Sequence, residues 1–316
     1  MKRSVLITLL YFIVFNTLGQ DLSKGIKLYE ANKLEEAKAN LEDYGSRTPE
    51  FEKAQYYLGR IAFDQEEYSD AIDYFKEAID KNDQSADYYA WLGNAYGVYT
   101  QNASKIRQGI LAPKIKNNYE KAVALDPQNL DAQWGLLEYY SQAPGFMGGS
   151  MEKATITANT ILEFNKKEGY RALSSVYQRD EKYGEAEKAF VKLVELDTNY
   201  MASLGNFYQD RALYNKAFVL FEKMSISQPE STIAVYQIGR TSALSGQQTE
   251  KGIKALENYM TLEIQEGSPS YAAAKMRMAM IYEKTGDKVR AKALYQASLK
   301  EDPTMELAKE GLKRTK

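Results

Sequence analysis

Residues 56–79 read YYLGRIAFDQEEYSDAIDYFKEAI, and the spacing within this stretch decides the fold. Gly59, Ala71 and Phe75 recur downstream at a fixed interval. Gly93 follows Gly59 by 34 residues, and Gly239 follows Gly205 by the same distance. Ala71, Ala186, Ala217 and Ala291 share one phase, and Phe75, Tyr119, Phe190, Phe221 and Tyr295 share the phase four residues on. Pro49, Pro127, Pro229 and Pro303 close successive units. Each period holds two segments with apolar residues at helical spacing, joined by a short turn. The small residues let the two helices approach closely, the aromatics fill the space between hairpins, and proline stops the second helix because it cannot continue one. Such a hairpin cannot bury its apolar face alone and must stack on copies of itself.

The pattern resembles the tetratricopeptide repeat (TPR) from about residue 18 to residue 316. That resemblance implies an all-α solenoid, a right-handed superhelix of about eight helix-turn-helix repeats with a C-terminal capping helix. The units fall at about 18–51, 52–85, 86–129, 130–166, 167–197, 198–231, 232–271 and 272–305, with the cap at 306–316. Two units are irregular. The third carries ten extra residues, a loop insert around Thr100–Pro113, and the fourth carries five extra around Gln142–Ser150. This middle region, about Leu92 to Ala154, also resembles exported bacterial TPR proteins of unassigned role. The tyrosines Tyr68, Tyr96, Tyr140, Tyr177, Tyr183, Tyr208, Tyr214 and Tyr282 sit at packing phases and read as core.

Composition excludes several kinds of chemistry. The chain has no cysteine and no histidine, and its formal net charge is −2 over 316 residues. Cys/His zinc sites, thiol nucleophiles and histidine-based triads are therefore absent, and a nucleic-acid role lacks support from charge. No residue pattern calls for a metal or a cofactor, and no spacing supports a carboxylate pair around Glu138, so the expectation is a protein that is not an enzyme. Met1-Lys2-Arg3 followed by the apolar run Ser4–Leu18 and the small residues Thr17-Leu18-Gly19 reads as a signal peptide over 1–19, cut before Gln20. A bacterial periplasmic or secreted chain follows, residues 20–316, with no stable transmembrane segment after cleavage and no disulfides to staple it.

In TPR proteins the first helix of each hairpin lines a concave groove that takes a protein or peptide. Carried over by position, the resemblance assigns the groove to Tyr56, Arg60, Phe63, Asn94, Trp134, Glu138, Arg171, Asn206, Tyr236 and Arg240, with Ser175, Gln209, Met276 and Met280 beside them. A family mode that holds a C-terminal carboxylate through three consecutive units is not expected, because the corresponding positions read Arg60, Asn94 and Glu138. The insert adds Lys105, Arg107, Lys114 and Lys116 in a stretch, Tyr88–Tyr119, that has no acidic residue, a local basic patch suited to an acidic partner, a phosphate-bearing polymer or a membrane surface. The Ala143-Pro144-Gly145-Phe146-Met147-Gly148-Gly149 turn lacks the Gly-Lys-Ser/Thr ending of a phosphate loop. The functional expectation is a non-catalytic binding scaffold of the cell envelope, working through the groove near units 2 to 4. The alternative is a glycan or peptidoglycan fragment bound by the basic insert and the Gly-rich turn. Self-association through the ends of the array is also compatible with the sequence.

Overall fold

The computed structural model describes residues 22–101, 103–264 and 266–315, which are helical with no strand among them. The expected leader, residues 1–19, lies outside the described residues. The chain divides into two compact units, Met1–Phe164 and Asn165–Lys316, where the sequence reads as one array. The first unit contains α1 (Leu22–Glu30), α2 (Leu34–Glu42), α3 (Phe51–Asp64), α4 (Tyr68–Lys81), α5 (Ala86–Gln101), α6 (Lys105–Leu125), α7 (Leu130–Gln142) and α8 (Met151–Phe164). The second contains α9 (Lys166–Arg179), α10 (Tyr183–Leu196), α11 (Met201–Asp210), α12 (Tyr214–Ser227), α13 (Thr232–Ser245), α14 (Thr249–Tyr259), α15 (Tyr271–Lys284), α16 (Lys288–Glu301) and α17 (Glu306–Arg314). Consecutive helices pair as hairpins, and α17 packs on both α15 and α16.

The recurrent glycines and aromatics meet inside the hairpins. A Cβ at Gly59 would stand 2.6 Å from the Phe75 ring, and one at Gly205 would stand 2.2 Å from the Phe221 ring. No side chain fits at that distance, so the helix crossing requires glycine there. Gly93 takes the Tyr119 ring in the same way, at 2.7 Å. Yet Phe75 follows Gly59 by 16 residues and Tyr119 follows Gly93 by 26. The ten extra residues are therefore absorbed without disturbing the joint. They are helix rather than loop: α5 continues three residues further past its glycine than α3 does, and α6 begins seven residues further ahead of its aromatic than α4 does. Seven residues is close to two turns at ~3.6 residues per turn, so Tyr119 keeps its face toward α5. Ser104 caps the lengthened helix by accepting from the Arg107 amide at 3.4 Å.

Five of the turns within hairpins are three residues long with one residue in the left-handed region: Asn32, Glu66, Glu181, Ala212 and Gly286 all have φ between 55° and 87°. Only Gly286 among these suits that conformation without a steric cost. At the C-terminal end, α17 presents Gly311 to the Tyr295 ring, and Arg314 donates to Glu283 through Nε at 2.6 Å and a terminal nitrogen at 3.1 Å. Tyr295 donates to the same carboxylate at 2.6 Å.

Candidate functional site

Two irregular units of the first compact body enclose a cavity of about 580 Å³. Phe63 of α3, Asn94 and Gly97 of α5, Ala112, Ile115 and Tyr119 of α6, and Gly135, Glu138 and Tyr139 of α7 form its walls, with Ala143, Pro144 and Met147 at one edge. The cavity exists because the second helix of unit 3 is two turns longer than its neighbours and because the chain leaves α7 through a wide turn. Phe63, Asn94 and Glu138, named from different repeats, thus converge. Asn94 Oδ1 accepts from the Tyr119 hydroxyl at 2.7 Å. Glu138 accepts from Gln142. Gln108 bonds back to the carbonyls of Thr100 and Ala103 at 3.1 and 3.2 Å and closes the end of α5.

The Gly-rich turn is built by its own backbone. The amides of Met147, Gly148, Gly149 and Ser150 bond to the carbonyls of Pro144, Gly145, Pro144 and Tyr140 at 2.7–3.2 Å. Gly148 has φ 96°, and a Cβ at Gly149 would lie 1.7 Å from the Ala143 carbonyl oxygen, so both positions demand glycine. Tyr139 ties the turn to α7 by donating to the Met147 carbonyl at 2.6 Å. With those amides bonded internally, the turn offers no cradle for a phosphate or a sugar acid.

The repeats match known proteins. Models of the tetratricopeptide repeat match residues 22–95 and 273–304, the first two hairpins with the start of the third, and the last full hairpin. The chain carries tetratricopeptide repeats. A TPR-protein structure from Cytophaga hutchinsonii is 18% identical, covers 92% of this chain and 99% of that one, and superposes with a TM-score of 0.50. A second, from Parabacteroides merdae, is 16% identical over 93% of this chain and 96% of that one, with a TM-score of 0.46. Among curated proteins, mouse Superkiller complex protein 3 is 22% identical over 274 residues, covering 75% of this chain but 17% of that protein. The Cytophaga likeness speaks for the fold alone.

Other groove residues assigned by the TPR resemblance stand elsewhere. Arg60 is enclosed by aromatic rings: its guanidinium lies 3.6 Å from the Trp91 ring centroid and 5.4 and 5.8 Å from those of Tyr29 and Tyr56. It donates to the Tyr56 hydroxyl at 3.0 Å. Burial and the Asp64 hydrogen bond push the Tyr29 hydroxyl up to about 12. Tyr56 packs against Tyr57, Phe75 and Tyr88, with centroids 5.1–6.0 Å apart. Tyr56 and Arg60 therefore join neighbouring helices. Trp134 is half-buried on α7.

In the second unit, Arg171 pairs with Glu168 of its own helix, Nε to Oε2 at 2.7 Å. Asn206 accepts from Arg240 at 3.1 Å, and Gln209 and Gln237 accept from the same guanidinium. Gln209, Gln237 and Thr241 are buried and bonded to one another, so this is a satisfied polar core. Burial and the nearby Arg277 pull the Arg240 guanidinium below its usual value. Tyr236 is 5% exposed against Tyr259, and Met276 is 3% exposed, so neither lines a surface. An apolar trough of about 760 Å³ also runs between α10 and α12, walled by Val191, Val194, Leu204, Val219 and Leu220. No sequence signal marked it; Val219 on its wall is exposed, whereas Leu204 at its floor is buried.

The basic residues of the insert do not form one patch. Arg107 and Lys114 turn toward α5, over the rings of Tyr99 at 4.9 Å and Tyr96 at 5.6 Å. Lys116 faces the other way, 3.9 Å from Glu120 and beside Gly148, and Lys105 donates to Gln108 at 3.2 Å. The reason is the helical form of the insert: residues seven or eleven apart share a flank, and residues two apart do not.

Proposed function

We propose that this chain is a non-catalytic scaffold of the cell envelope that binds a segment of a partner protein in the α5–α6–α7 cavity. A TPR fold is a protein-interaction scaffold, and the observation that supports this place on it is the convergence of Phe63, Asn94 and Glu138 with the insert helix and the Gly-rich turn around one space. Its volume falls within the ~300–1,000 Å³ of ligand pockets, and its wall combines apolar residues such as Phe63, Ile115 and Met147 with polar ones such as Asn94, Gln108 and Glu138. The larger trough between α10 and α12 also carries polar groups, Glu195, Tyr208, Lys216 and Lys223 among them, but none of the residues that the TPR resemblance assigns to the groove. Among the described residues no group of three His, Cys, Asp or Glu side chains could hold a metal ion. The glycan alternative loses its support, since the insert cations lie on two flanks and the turn amides are already bonded.

Selection of a random dodecapeptide library on the immobilised chain, followed by hydrogen exchange of the selected complexes, tests the placement. Protection confined to the helices and turn around 94–147, lost in Ile115→Asp, supports it. Selected peptides that protect only the second unit would overturn it. Export rests on the 1–19 leader. The N-terminus of the chain recovered from cells should be Gln20, and a chain beginning at Met1 contradicts it.

A further inference from the structure

The two extra turns of α6 carry a pattern that the stack does not need. Ile106 is 79% exposed and Ile110 65% exposed, one turn apart on the same helix. Phe146, 86% exposed, projects from the Gly145–Met147 turn, which packs on α6 with Met147 against Gly109. Three exposed large apolar side chains are therefore carried by the first two turns of α6 and by the short turn packed on that helix, together the α6 tip. At ~100° per residue the isoleucines lie between two cationic flanks, Arg107 with Lys114 on one side and Lys105 with Lys116 on the other. Lys116 is matched by Glu120. Lys105, Arg107 and Lys114 have no ion pair among the described residues, and no acid lies between Tyr88 and Tyr119. The opposite face of this helix, Gln108, Ala112 and Ile115, lines the cavity, so the tip and the cavity look in different directions.

We propose that this tip is an interfacial docking surface for an anionic lipid bilayer. A cluster of exposed apolar residues calls for a covering surface. An apolar stripe with cations on both flanks is the arrangement in which the stripe enters the boundary of the acyl chains while lysine and arginine reach up to the headgroups. The acid-free stretch supplies the charge complementarity that anionic lipid requires. An acidic protein surface would satisfy the cations and still leave Phe146 and the isoleucines to be covered. No helix among the described residues is long and apolar enough to cross a membrane, and this mode needs none.

The chain has no cysteine, so a single Ile110→Cys places an environment-sensitive fluorophore at the tip alone, in the full chain. Lys292→Cys, exposed on α16, is the remote control that separates tip docking from any tethering by residues 1–19. The expected result is a blue shift at 110, and not at 292, on adding phosphatidylcholine vesicles with 30% phosphatidylglycerol. Pure phosphatidylcholine should leave it unchanged. Lys105→Glu/Arg107→Glu/Lys114→Glu in the labelled chain, with unaltered helical circular dichroism, should raise the lipid needed for half the shift by about tenfold or more. No shift at 110, equal shifts on both vesicle types, or equal shifts at both positions would overturn the proposal. A shift produced by polyglutamate without lipid would assign the tip to an acidic protein instead.

Discussion

Gly135→Ala should loosen the α5–α6–α7 joint, whereas Gly97→Ala, the same change beside the same ring, should not. The Cβ added at position 135 would lie 2.2 Å from Tyr119 Cε1 and 2.3 Å from Cζ. Carbon atoms settle at ~3.5 Å or beyond, so the ring must retreat by about 1.3 Å. Tyr119 is buried and its hydroxyl bonds to Asn94 at 2.7 Å, and a retreat of that size breaks the bond. Overpacking costs roughly 1–3 kcal/mol and the lost hydrogen bond about 1 kcal/mol, against about 1 kcal/mol gained by replacing helical glycine with alanine. The net is a loss of about 1–3 kcal/mol. At position 97 the nearest atom is the Tyr119 hydroxyl at 3.9 Å, an ordinary contact, so only the helical gain of about 0.5–1 kcal/mol remains. Thermal unfolding followed by circular dichroism, with hydrogen exchange to localise the change to α5–α7, reads both. At roughly 2–4 °C per kcal/mol the two variants should move the transition in opposite directions. If Gly135→Ala is as stable as Gly97→Ala, Tyr119 does not fill the joint and the geometry of the cavity wall is wrong.

Three further outcomes follow from the structure. Ala212→Gly should stabilise the second unit by about 0.5–1 kcal/mol in urea unfolding, because alanine at φ 55° pays a steric cost that glycine does not. The Arg314 guanidinium and then the Tyr295 hydroxyl hold the Glu283 carboxyl below its usual value. That contribution is present above the usual carboxylate range and is lost as pH falls through the lowered value, so protection of the α17 amides, corrected for the intrinsic pH dependence of exchange, should fall on acidification below the usual carboxylate range, and Arg314→Ala should flatten that dependence. Arg60→Met should cost about 1–2 kcal/mol and shift Trp91 emission in a Trp134→Phe background, since it removes the cation stacked at 3.6 Å; unchanged emission would place Arg60 elsewhere.

The hairpins were legible because each depends on a local pairing of one small and one bulky residue at fixed separation. The insert was less so. Its length was countable, but whether ten residues form a loop or extend two helices depends on Ser104 capping, on a seven-residue increment that matches two turns, and on packing against the turn after α7. The same uncertainty hid the division of the four cations between two flanks, which only helical geometry reveals. Position within the repeat picked out Phe63, Asn94 and Glu138 as groove-facing, and the structure places all three around one space, a convergence the repeat phases did not indicate. It misplaced Tyr236 and Met276 because the phase that faces a groove in a regular array is buried where α13 and α15 pack closely. The network around Arg240 was missed for a different reason: Gln209, Gln237 and Thr241 look like surface polar residues until their mutual hydrogen bonds are seen.

The central claim is that the partner sits in the α5–α6–α7 cavity. Site-specific photo-crosslinking in intact cells tests it most directly, with the photoreactive residue at Val98 in the cavity wall and, separately, at Val219 in the trough between α10 and α12. The account predicts a discrete protein adduct from Val98 that disappears in an Ile115→Asp background, and none of the same mass from Val219. An adduct from Val219 alone, or one from Val98 that survives Ile115→Asp, would contradict it.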